Sequence, residues 1–126
     1  MLKTYPAIFH EDNGYWIEFP DFQNGATEGD NLEESMIMAK EFLASIIAYY
    51  IDNEMELPKP TDITTLNVSD GFTTLIQVDP SPFIRNNKTV RKNVTVPEWL
   101  VKLADKAQVN YSETLTNALE EKLNVR

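Results

Sequence analysis

Apolar and polar side chains alternate along Tyr15-Trp16-Ile17-Glu18-Phe19. Tyr15, Ile17 and Phe19 therefore share one face of a strand, and Trp16 and Glu18 share the other. The strand formers Tyr5-Pro6-Ala7-Ile8-Phe9-His10 come before it, and Glu11-Asp12-Asn13-Gly14 lies between the two runs. Asn-Gly tolerates positive φ at both positions, so this spacing predicts a hairpin. Pro20-Asp21 stops the return strand. A short third strand is expected over Ala26-Thr27-Glu28, punctuated by Gly25 and Gly29. The pattern then becomes helical. Leu32, Met36, Ala39, Leu43, Ile46, Ile47 and Tyr50 recur three or four positions apart, which makes one buried helix face. Asp30 with Glu33 is expected to form the capping box. Leu57-Pro58-Lys59-Pro60 reads as a turn or linker, and residues 73–78 as a fourth strand. The N-terminal part is thus predicted as β-β-β-α-β, an α+β unit with one sheet covered by one helix.

The punctuation changes at Asp79-Pro80-Ser81-Pro82, and Asn86-Asn87 extends a polar stretch. This divides the chain into an acidic domain over residues 1–80, a linker over 81–87 and a second module over 88–126. In that module Val90-Arg91-Lys92-Asn93-Val94-Thr95-Val96 reads as a strand. Pro97 is expected at the first position of a helix, where a missing N–H costs nothing. That helix should bury Leu100, Leu103, Ala104 and Ala107. Asn110 and Ser112 compete to cap the last helix, and Asn110 with Glu113 makes the better box. Leu115, Ala118, Leu119 and Leu123 form its apolar stripe.

Charge sharpens this division. The chain of 126 residues carries a net charge of −9. Residues 1–84 hold three Lys against fifteen Asp and Glu, a net of −12. Residues 85–126 hold eight Lys and Arg against five Asp and Glu, a net of +3. A basic tail on an acidic body points to two partners of opposite charge. Acidity that only keeps the domain soluble is the plainer alternative. The absence of cysteine excludes disulfides and thiolate-bound zinc. The first residues contain no apolar run that reads as a signal peptide. The longest apolar run, around residues 43–51, is too short to span a bilayer. A cytoplasmic protein is the expectation.

One strand and two short helices cannot close a core alone. Pairing the strand with its twin across a two-fold axis would satisfy its backbone and bury its apolar face. The expected product is a homodimer through residues 88–126, with pairing into higher oligomers left open. Its two-stranded ribbon has the width of a major groove. Alternation turns Val90, Val94 and Val96 inward and Arg91, Asn93 and Thr95 outward to read base edges. Lys88, together with Asn110, Tyr111 and Ser112 at the start of the last helix, would meet phosphates. An edge strand with a solvated polar face is the plainer alternative.

The run from Val90 through Leu123, with its Val96-Pro97 junction and its Asn110-Tyr111-Ser112-Glu113 helix start, resembles the ribbon-helix-helix family. Lys92 departs from it, falling on the inward parity where the family has an apolar residue. Its stem can lie along the core with the ammonium at the rim, or the strand is locally irregular. The stretch from Tyr15 to Glu34 resembles the HicB antitoxin family in its Pro20-Asp21 pair, Gly25, Thr27-Glu28-Gly29-Asp30 and paired Glu33-Glu34. Asn24 stands where proline is common, and Ala26 where cysteine is common. The resemblance implies a truncated RNase H-like N-terminal domain and a ribbon-helix-helix C-terminal domain. It implies an antitoxin of a type II toxin–antitoxin pair that neutralises a HicA-type toxin, a small basic mRNA-cleaving protein, and represses their operon by binding operator DNA. Glu18, Asp21, Glu28 and Asp30 are the candidate toxin contacts.

Two other readings remain open. One is a repressor whose N-terminal domain senses a ligand. The other is a metal-dependent nuclease, which needs converging carboxylates. Asp12, Asp21, Glu33 and Glu34 are placed on turns and a helix start, where nothing makes them converge. His10, the one histidine, reads as a solvated edge residue without catalytic work. No enzyme activity, metal or cofactor is expected.

Overall fold

The computed structural model describes residues 1–23, 25–86 and 88–123. Asn24 and Asn87 of the sequence reading lie outside the described residues. The chain divides into two units, residues 1–87 and 88–126. Residues 81–86 of the expected linker fall within the first of these units.

The first unit is an antiparallel sheet of β1 (Lys3–Glu11), β2 (Tyr15–Glu18), β3 (Ala26–Gly29) and β4 (Gly71–Val78), in the order β3-β2-β1-β4. Helix α1 (Leu32–Asp52) covers one face. Asn13 and Gly14 do turn the β1–β2 hairpin with positive φ, 52° and 123°. Glu11 then pairs with Tyr15 and Phe9 with Ile17. That register sends Tyr5, Ala7, Phe9, Ile17 and Ile76 into a core with Phe19, Phe22, Ala39, Leu43, Ala44 and Ile47. The helix sits close because small residues, Ser35, Ala39, Ala44 and Ala48, line its buried face. Leu32, expected on that face, is 49% exposed.

The cap of α1 differs from the expectation by one residue. Asn31, not Asp30, accepts the first-turn N–H, from Glu34 at 2.8 Å. The Glu34 carboxylate reaches back to the Asp30 N–H at 3.3 Å. Gly29 remains paired with Tyr15, so the chain is still extended when it reaches Asp30 and the helix starts one step later. Asp and Asn accept equally well at this position, so the choice falls to sheet geometry. The Leu57–Pro60 stretch is irregular as expected, and it is anchored. The Tyr5 hydroxyl donates to the Pro58 carbonyl at 2.6 Å. A single 3-10 turn follows at Ile63–Thr65.

The second unit contains α2 (Glu98–Lys106) and α3 (Tyr111–Lys122). Pro97 is the cap of α2 rather than its first residue. Its carbonyl accepts from Leu100 and Val101, both at 3.1 Å. Proline's fixed φ suits either position. Asn110 caps α3 as expected, accepting from Glu113 N–H at 3.0 Å. Among the described residues, 88–96 pair with no strand. The expected burial of the helix stripes is also not found within the single chain, where neither helix has a buried residue. Two helices of this length cannot enclose a core between them.

Candidate protein and nucleic-acid interfaces

Two of the four carboxylates expected to meet a basic partner, Glu28 and Asp30, lie at or beside the hairpin end of the sheet, and Glu18 closes the other end of β2. Glu18 and Glu28 fall on the face turned away from α1, Glu28 directly across from Trp16. Glu28 and Asp30 line a cleft of about 380 Å³ with Asp12, Asn13, Tyr15 and Trp16. Asp21 stands apart with a different task. Its carboxylate accepts the Thr61 N–H at 3.0 and 3.1 Å and the Thr61 hydroxyl at 2.6 Å, tying the segment after α1 to the turn after β2. Burial, with the charge of Asp21 and then Tyr50 nearby, pushes the Tyr5 phenol up to about 12.

His10 corrects the reading of a solvated edge residue. β1 is an inner strand, and the His10 side chain is only 14% exposed. Nδ1 lies 2.7 Å from the Asp70 carboxylate and Nε2 lies 3.4 Å from Glu18. The imidazole stacks on Trp16 with centroids 3.9 Å apart. Burial alone would lower its pKa, but the hydrogen bonds and charges of Asp70 and Glu18 outweigh burial and raise it. This assembly holds Trp16 flat beside two carboxylates. No sequence signal announces it, because Asp70 is sixty positions from His10. Among the described residues no three His, Asp or Glu side chains gather to hold a metal ion. Asp12, Asp21, Glu33 and Glu34 form no such group.

In the second unit Arg91, Asn93 and Thr95 are exposed, and so are Val90, Val94 and Val96 at 76, 63 and 41%. Burial within one chain therefore does not separate the two parities. At the start of α3 the Asn110 carboxamide is occupied by Glu113 N–H. Among the described residues the Tyr111 and Ser112 N–H groups meet no acceptor, leaving them as open donors of that turn. The Tyr111 hydroxyl is engaged: it donates to the Asp105 carboxylate and reaches the Val101 carbonyl at 3.4 Å, linking α3 to α2. The hydrogen bond to Asp105 raises the Tyr111 pKa. Lys88 and Ser112 are exposed. Among the described residues no helix is long and apolar enough to cross a membrane.

The chain is similar to several known proteins. A chain of a toxin–antitoxin complex from Streptococcus pneumoniae is similar at 33% identity, covering 97% of this chain and 99% of that one with a TM-score of 0.63. The antitoxin HicB of Burkholderia pseudomallei shares the fold at 18% identity and a TM-score of 0.62, over 96% of this chain and 98% of that one. Antitoxin HicB 2 of Photorhabdus laumondii is 34% identical over 58 residues, 45% of this chain, and the match spans only 42% of that protein. The family of HicB-like antitoxins of bacterial toxin–antitoxin systems matches residues 5–122. The chain therefore belongs to the HicB-like antitoxin family, a family of antitoxins and not of enzymes.

Proposed function

We propose that this protein binds and neutralises a small, basic, mRNA-cleaving toxin of the HicA type through its acidic unit, and represses the shared operon through its tail. The observation that carries the toxin reading is the end-to-end similarity to a chain from a toxin–antitoxin complex. The charge division supports it. An acidic surface accelerates encounter with a basic RNA-binding protein and competes for the surface that RNA would occupy. Glu18, Glu28 and Asp30 are the proposed contacts, while Asp21 is already bonded to Thr61. The sheet and helix of the first unit are compatible with a truncated RNase H-like domain.

The tail reading rests on exposed apolar surface. Trp99, Leu103, Leu119 and Leu123 are 65, 58, 51 and 67% exposed, and the valines of residues 90–96 are exposed as well. Water disfavours that many exposed large apolar side chains on so small a unit. A second copy would cover it, pair the extended segment into a ribbon and present Arg91, Asn93 and Thr95 to base edges. Lys88 and the start of α3 would then meet phosphate.

Co-expression of the full chain with a tagged, small basic protein encoded beside it tests the reading. The two should co-purify, and the basic protein's ribonuclease activity should vanish in the complex. Reversing Glu18 and Glu28 to Lys should weaken that complex at least tenfold while operator binding persists. A chain that captures no basic neighbour but leaves its operator on adding a small molecule would support a ligand-sensing repressor instead.

A further inference from the structure

Helix α1 ends against the usual charge rule. Its last turn contains no basic residue, and its final residue is Asp52. A carboxylate there faces the negative end of the helix dipole. Residues that break a local rule often serve a need elsewhere in the fold. Here the need is visible in the chain that leaves β4. Asp79 turns that chain by accepting the Ser81 N–H at 3.0 Å, Pro80 is fully buried, and a 3-10 turn at Ser81–Phe83 packs on α1. Asp52 then accepts the N–H of Arg85 with one carboxylate oxygen and that of Asn86 with the other, both at 2.9 Å. These two bonds, and the Arg85 charge, hold its carboxyl below the usual range.

We propose that Asp52 is the clasp of a strap, residues 79–86, which fixes where the chain leaves the acidic unit and so sets the length of the tether to the tail. The functional consequence rests on reading residues 88–126 as a separate DNA-binding module. The strap has two kinds of attachment. Its first half is held by buried Pro80 and by local bonds, Phe83 N–H to the Pro80 carbonyl at 2.9 Å and Ile84 N–H to the Ser81 carbonyl at 3.2 Å. In its second half, among the described residues, Asp52 alone accepts the Arg85 and Asn86 amides. Opening the clasp frees the chain back to about Ile84. At roughly 3.5 Å per extended residue, the reach to Lys88 grows from about 7 to about 14 Å. A longer tether lets the tail sample a larger volume around the acidic unit.

The experiment uses the full-length protein and its Asp52→Ala and Asp52→Asn variants. Amide hydrogen exchange, tryptic cleavage after Arg85 and backbone NMR relaxation are measured on all three. In Asp52→Ala the Arg85 and Asn86 amides should exchange at least tenfold faster and cleavage after Arg85 should accelerate similarly. The Phe83 and Ile84 amides should keep their protection, and the two units should tumble more independently. Asp52→Asn keeps one carbonyl acceptor and should protect one of the two amides. If Asp52→Ala loosens the whole unit, β4 amides will exchange faster as well, and the pattern in Asp52→Asn then decides. Equal exchange at Arg85 and Asn86 in all three proteins would overturn the clasp. So would accelerated exchange with unchanged relative tumbling, because the tether would then not depend on it.

Discussion

Ser35 lies on the buried face of α1 with its hydroxyl fully enclosed and, among the described residues, bonded to no partner. An enclosed hydroxyl without a partner costs about 1–3 kcal/mol, and alanine is the better helix former. Ser35→Ala should therefore raise stability by about 1 kcal/mol, read as a higher urea midpoint at unchanged slope. A lower midpoint would mean that the hydroxyl finds a partner in solution. His10 gives a second prediction at this scale. Its folded pKa lies above the unfolded value of about 6.5. Its contribution to stability is thus fully present below that unfolded value and is lost as pH rises through the folded one. The urea midpoint of the wild type should fall across that window, while His10→Gln should show a smaller fall. Equal pH dependence in the two proteins would remove His10 from the bridge between Asp70 and Glu18. Neither residue's situation is legible locally. Ser35 occupies an ordinary helical position in the sequence, and the partners of His10 come from β2 and from the turn before β4.

Among the elements, those governed by short-range chemistry match the sequence reading closely. The Asn13-Gly14 turn, the alternation of Tyr15, Ile17 and Phe19, and the Asn110–Glu113 cap of α3 each depend on atoms within a few residues. The start of α1 shifts by one residue because pairing of β3 with β2 decides how long the chain stays extended. β1 runs from Lys3 to Glu11, longer than its apolar stretch suggests, since β4 pairs along it from Lys3 to His10. Gly71 closes that pairing opposite His10 with no room for a side chain. A Cβ built there would lie 1.8 Å from the Phe9 carbonyl oxygen, a backbone atom inside the ladder. Gly71→Ala should force β4 away from β1 and cost about 3 kcal/mol or more. The check is a urea titration followed by far-UV circular dichroism. A loss under about 1 kcal/mol would show that the strand end yields easily.

For the whole molecule, light scattering at micromolar concentration should report at least a dimer, because the tail cannot bury its own apolar faces. A monomer would sink the ribbon. Operator binding gives a sharper test. Asn93→Ala removes a residue proposed to face the base edges and should reduce operator preference by about 1–3 kcal/mol per half-site. Lys88→Ala should weaken operator and scrambled duplexes alike and flatten the salt dependence by about one unit for each phosphate left without its lysine. A salt titration on both duplexes separates the two effects. Unchanged operator preference in Asn93→Ala would mean a shifted strand, with Lys92 the first suspect. At this scale the sequence by itself determined the strands and helix of the first unit, the two helices of the tail and the opposed charges. Those follow from periodicity, turn chemistry and the count of ionisable groups, all of which are local or additive. Only the tertiary structure decided that β1 is an inner strand, that His10 bridges Asp70 and Glu18, that Asp21 ties down Thr61, and that Asp52 holds the chain leaving β4. Each joins residues distant along the chain, and which carboxylate meets which donor depends on packing distances that no local pattern encodes.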